Sequence, residues 1–123
     1  MVYKDANVVV KAFKVNHGSW QEAYGYRFET AGKVIVVSGD CTYSEALIAN
    51  AQDCDILVHE VYSMEGLVTR EKRWQEYHLD FHNSTAQLAD INNKVTPDLL
   101  VLTHQLLCGT IKECLVAAIQ SNS

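Results

Sequence analysis

Val34-Ile35-Val36-Val37-Ser38-Gly39-Asp40 is the stretch from which the rest of the chain can be read. Four β-branched residues in a row, bounded by Lys33 and by Ser-Gly, have the composition of a short buried strand. Gly39 carries no side chain, so the backbone can bend tightly there and swing the Asp40 carboxylate inward. Three other apolar runs lead to groups of similar chemistry. Residues 8–15 lead to His17, residues 56–58 to His59-Glu60, and residues 99–102 through Thr103 to His104. A strand that stops on an imidazole or carboxylate carries it to the rim of a sheet, where open α/β sheets bind ligands. Four such runs in one short chain point to a shared site.

Composition limits what that site belongs to. The 123 residues fit one domain and include a single proline, and 48% are apolar, so the chain can bury a core. Ten Lys and Arg against fifteen Asp and Glu give a formal charge of −5, which argues against a general nucleic-acid or membrane surface. Arg70-Glu71-Lys72-Arg73 is the one basic cluster, and its mixed sign reads as a solvated face. No apolar run approaches the ~20 residues of a membrane span, and the N-terminus lacks a signal-peptide layout, so the expected location is cytoplasmic. Cys41, Cys54, Cys108 and Cys114 show no C-x-x-C spacing and read as reduced thiols, the last three as small core residues.

Punctuation and period place the elements. Residues 8–15, 24–29 and 33–38 read as strands, with Ala31-Gly32 as the turn of an antiparallel hairpin. Three capping boxes, Thr42 with Glu45, Ser84 with Gln87 and Thr110 with Glu113, predict helices over 44–51, 85–93 and 111–120. Ile111, Leu115, Ala118 and Ile119 form a core-facing stripe on the last. Residues 63–77 read as an exposed arm or short helix. The whole is one α/β unit without linker or repeat.

Imidazole and carboxylate are the usual donors of zinc, manganese and iron sites built from N and O, and His17, Asp40 and His104 can converge in that way. Glu60 and His82 have the composition of a proton relay, in which a carboxylate orients an imidazole serving as acid or base. His82 also fits a purely structural place beside the helix start at Ser84. His59 reads equally well as a partner for backbone groups, and His78 falls on the exposed arm. Trp20 and Tyr24 lie near His17 as wall or core residues.

His17-Gly18, then Tyr24-Gly25-Tyr26-Arg27, Gly39-Asp40, Asp55-Ile-Leu-Val-His59-Glu60, His82-Asn-Ser-Thr85 and Leu-Val-Leu-Thr103-His104 together resemble the C-terminal half of a metallo-β-lactamase-fold hydrolase, in the ribonuclease Z and arylsulfatase-like branch. The resemblance runs from about residue 7 to 119 and implies half of an αββα sandwich, a mixed sheet with helices on one face, as a single partial domain over 1–123. It implies that His17 joins a first zinc, Asp40 bridges two, and His104 joins the second, with His82 as proton donor and Glu60 holding it. The implied reaction is hydrolysis of a phosphodiester or related ester.

Three features depart from that family. The H-x-H-x-D-H metal motif of its N-terminal half is absent, which leaves each metal short of the three or four protein ligands zinc takes. Cys41 stands where a threonine is usual, and Asp40 already occupies the inward direction. The tRNA-binding arm is also missing, since only a tight turn fits between Glu29 and Lys33, so tRNA is not the expected substrate. The expectation is a metal-dependent hydrolase represented by its C-terminal half and inactive alone. The competing reading is a non-catalytic binding or structural half-domain. Either way the uncovered sheet calls for a homodimer or the missing N-terminal half as partner. A small nucleotide-binding domain would need a Gly-rich phosphate loop that the sequence lacks.

Overall fold

A computed structural model describes residues 1–121. Its centre is a six-stranded sheet in which spatial order follows chain order. Strands β1 (Tyr3–Lys4), β2 (Val8–Lys14), β3 (Tyr24–Thr30) and β4 (Val34–Val37) are antiparallel neighbours. Strands β5 (Ile56–Tyr62) and β6 (Leu99–Leu106) then continue the sheet in parallel with β4. The helices are α1 (Glu45–Asn50), α2 (Met64–Leu67), α3 (Lys72–Phe81), α4 (Thr85–Val95) and α5 (Lys112–Ser121). Antiparallel neighbours need only tight turns, whereas the parallel pairs need crossovers, and α1 and then α2 to α4 supply them. Among the described residues no helix is long and apolar enough to cross a membrane.

The core lies on one face of the sheet. Val36 and Leu57 from the middle strands meet Leu47 and Ile48 of α1, Leu88 and Ile91 of α4, and Leu115 and Ile119 of α5. Each fully buried leucine there contributes roughly 1.5–3 kcal/mol of transfer free energy. Arg27 ties β3 to α1 by donating to the Asn50 and Gln52 carbonyls at 2.8 and 2.9 Å, which satisfies acceptors at the helix C-terminus. The Ser84–Gln87 capping box opens α4 as the sequence predicts.

The other two predicted boxes are replaced. Ser44 caps α1 by accepting from the Leu47 amide, while Thr42 donates to the Leu79 carbonyl and so tethers α3. Thr110 donates to the Leu107 carbonyl, and the Cys114 and Leu115 amides of α5 donate to the Ile111 carbonyl. A hydroxyl near a helix start has several acceptors within reach, so spacing alone does not select the cap. Cys114 is exposed on α5 rather than in the core. Residues 72–81 form a ten-residue helix with no buried residue, where the sequence predicts an exposed arm or short helix over 63–77.

Among the described residues, the second face of the sheet is apolar and uncovered. Register lines up Tyr3, Val10, Phe28, Ile35, Ile56 and Leu99 in one cross-strand row, and Ala12, Tyr26, Val37, Val58 and Val101 in the next. Residues that pair across strands share a face, and none of these eleven is fully buried. This half of a sandwich presents the face that its resemblance to the larger fold implies.

Candidate active site

Glu60 organises the site. It is fully buried on β5, and a buried carboxylate is tolerated only when donors surround it. Its Oε1 accepts from the Cys41 amide and from His82 Nδ1, both at 2.8 Å, and its Oε2 accepts from the Asn83 amide at 3.2 Å. The carboxylate therefore joins the loop that carries Asp40 to the segment that carries His82. His82 follows α3 directly, 4% exposed, between that helix and the Ser84 cap of α4. With Nδ1–H given to Glu60, its Nε2 is the atom left to act.

Around His82 the other predicted residues gather. The His104 ring stacks on it with centroids 5.3 Å apart, and the His17 ring meets it edge-on at 5.5 Å. His104 Nδ1 lies 3.9 Å from Asp40 Oδ1, both groups being about half exposed. His17 donates from Nδ1 to the Phe81 carbonyl at 2.7 Å, which leaves Nε2 as the ring nitrogen open to another partner. Among the described residues, one trio of donors lies within 4.8 Å of one another: Glu60, His82 and His104. Because three N–H groups already occupy the Glu60 oxygens, Glu60 serves there as an orienting group.

Local backbone chemistry sets these positions. Gly39 has φ +63°, and a Cβ there would lie 2.6 Å from the Tyr24 carbonyl oxygen, so only glycine lets the chain turn Asp40 out beside β3. His104 is the extra residue of a bulge. Glu60 pairs with Thr103 and Val61 with Gln105, and His104 between them takes φ +42°. A bulge re-aims one side chain out of the strand alternation. Both β5 and β6 thus run past the predicted endings at residues 58 and 102. Glu60 and His104 are presented from within strands, and only His17 and Asp40 come from true strand ends.

The remaining candidates separate by burial. His59 is fully buried and donates to the Glu60 carbonyl at 2.7 Å, and burial lowers its pKa to about 4, so it is a neutral structural residue. Cys41 lies beneath the loop with Sγ 4.0 Å from His59 Nε2, and burial pushes its thiol well above the ordinary range. It offers no thiolate to a metal. Trp20 and Tyr24 are exposed rather than core, and with His17 and Asp40 they line a cleft of about 300 Å³. His78, assigned to the arm by sequence, instead packs edge-on against Tyr62 and His82 at 5.7 and 5.5 Å. Burial, with His82 and His104 nearby, holds it below the usual histidine range. Its i, i+4 spacing to His82 was the signal available.

His17, His104 and Asp40 offer the donor types that a divalent metal with N and O ligands takes, but the trio that the structure brings within 4.8 Å is Glu60, His82 and His104. His17, Asp40 and His104 are three donors, and two four-coordinate metals would need more. The arrangement sets a buried carboxylate–imidazole pair beside half-exposed imidazole and carboxylate groups at one edge of the sheet.

Residues 1–105 match the beta-lactamase superfamily domain, and the chain belongs to that superfamily of metal-dependent hydrolases. The zinc phosphodiesterase ELAC protein 2 homolog of Caenorhabditis elegans is 30% identical over 95 residues, 77% of this chain and 10% of that protein. Ribonuclease Z of Bacillus thuringiensis is 38% identical over 73 residues, 59% of this chain and 22% of the enzyme. The chain thus spans a minor part of the relatives it matches. In fold, the metallo-beta-lactamase fold protein YhfI from Bacillus subtilis superposes with TM-score 0.77 at 16% identity, over 97% of this chain and 45% of that one. Human tRNase Z, short form, gives 0.65 at 23% identity, over 85% and 38%.

Proposed function

We propose that this chain is the acid–base half of a metal-dependent phosphodiester hydrolase, with His17, Asp40 and His104 as zinc ligands and His82 as the general acid. The observation that carries this reading is the buried Glu60–His82 bond, with the His17 and His104 rings 5.5 and 5.3 Å from the His82 ring and Asp40 Oδ1 3.9 Å from His104 Nδ1. Bound metal would polarise the phosphoryl oxygens and activate water. The protein's own part is proton transfer. Glu60 fixes the Nδ1–H of His82 and stabilises its imidazolium, so that Nε2–H points toward the leaving oxygen. As the P–O bond breaks, that proton passes to the leaving group and water supplies the hydroxyl that replaces it.

The missing ligands would come from a second β-layer seated on the two apolar rows of the open face, whose rim is the site itself. The tight Thr30 to Lys33 turn and the charge of −5 favour a smaller substrate than a tRNA. The test is hydrolysis of bis(p-nitrophenyl) phosphate in zinc or manganese, by the chain alone and by the chain fused behind the N-terminal layer of a structural relative. Chelator-sensitive turnover by the fusion, lost in His82→Ala, is expected. A folded, metal-loaded fusion no faster than its His82→Ala variant would overturn the reading. The same open face favours a second reading, a non-catalytic half-domain closed by a second copy. Metal-free protein without turnover but with a stable dimer would select it.

A further inference from the structure

A second cleft, of about 280 Å³, opens beside the acid and is lined by Leu67, Arg70, Trp74, His78 and Cys108. We infer that it binds one nucleoside phosphate unit of the substrate, the base on Trp74 and the phosphate on Arg70. This rests on the phosphodiester reading for its place in the reaction, but its chemistry stands on the cleft. His78 forms the wall shared with the site, since its ring meets His82 at 5.5 Å. A ligand in the cleft is therefore one residue's width from the proton donor.

Each lining group matches a part of a nucleotide. Arg70 is exposed, and among the described residues no carboxylate lies within ion-pairing distance of it, whereas Arg27 and Arg73 both pair with glutamates. An unpaired guanidinium offers a planar fork to phosphate oxygens. Gly109 lies under it: a Cβ at that position would come within 3.3 Å of Arg70 Nη2, so the glycine leaves the guanidinium its room. Trp74 is 47% exposed and carries Arg73 over its ring at 5.2 Å, a surface suited to stacking any base. No hydrogen bond of normal geometry reaches the buried His78 Nδ1, although the Trp74 carbonyl is near enough to favour its protonation. Leu67 and Cys108 make the floor apolar. The volume suits a single base.

Metal-free chain, titrated with adenosine and uridine monophosphates and with inorganic phosphate, tests this without catalysis. Tryptophan fluorescence and the Trp74 indole N–H signal report occupancy. Saturable binding of both nucleotides is expected, with Arg70→Gln and Trp74→Leu each weakening it about tenfold or more. Inorganic phosphate is expected to bind more weakly than either nucleotide. No saturation at millimolar nucleotide, affinities unchanged in both variants, or phosphate as tight as the nucleotides would overturn the inference. The two readings fail separately. Turnover of bis(p-nitrophenyl) phosphate without nucleotide binding removes the subsite alone, and nucleotide binding without turnover removes the hydrolase reading alone.

Discussion

His82 Nδ1 and Glu60 Oε1 are joined by a 2.8 Å hydrogen bond in a setting where neither side chain is more than 5% exposed. The same carboxylate holds two backbone amides, so one residue serves both stability and chemistry. Glu60→Ala would strand the Cys41 and Asn83 amides in the interior, at about 1–3 kcal/mol for each buried donor. Urea unfolding is expected to show a loss of about 2–4 kcal/mol. A loss under about half a kcal/mol would mean that the amides find other partners.

His59 gives the fold a pH dependence of known sign. Its pKa is about 4 in the folded chain, below the unfolded value of 6.5, because burial disfavours the imidazolium. The unfolded state therefore takes up a proton first as pH falls. Stability is full above pH 6.5 and falls by up to about 3 kcal/mol toward pH 4. Replacing His59 by Asn is expected to flatten that part of the stability curve, measured by denaturant midpoints at several pH values.

Gly39→Ala should lose more than an ordinary surface glycine would. The positive φ and the 2.6 Å approach to the Tyr24 carbonyl give a cost of about 1–3 kcal/mol. The Asp40 carboxylate would also be displaced. Zinc affinity should therefore fall together with the unfolding midpoint, whereas Gly32→Ala, which meets no atom within 4 Å, should move neither by that route.

The two apolar rows should drive self-association of the isolated chain. Light scattering at micromolar concentration is expected to give a dimer, and Val58→Lys in the middle of the second row should return a monomer. A wild-type monomer would show that the face is tolerated in water.

Strands and the α4 start were legible in the sequence because β-branched runs and a reciprocal cap leave local signatures. Glu60 and His82 were legible as a pair by type, but not their burial. That follows from β5 running on to Tyr62 beside β6, past the end of its pairing with β4, which no local pattern announces. The aim of His104 was not legible as a strand ending, since it comes from a bulge that depends on pairing with β5. His78 was missed because its helix buries nothing of its own and shows no core stripe.

The central claim is that His17, Asp40 and His104 hold a metal beside His82. Its most direct test is a zinc titration of the chain followed through imidazole nitrogen NMR signals. The account expects the Nε2 signal of His17 and the ring signals of His104 to shift together and saturably, with Asp40→Asn weakening the effect at least tenfold and His59 unmoved. Signals of His17 and His104 that stay in place up to millimolar zinc would contradict it.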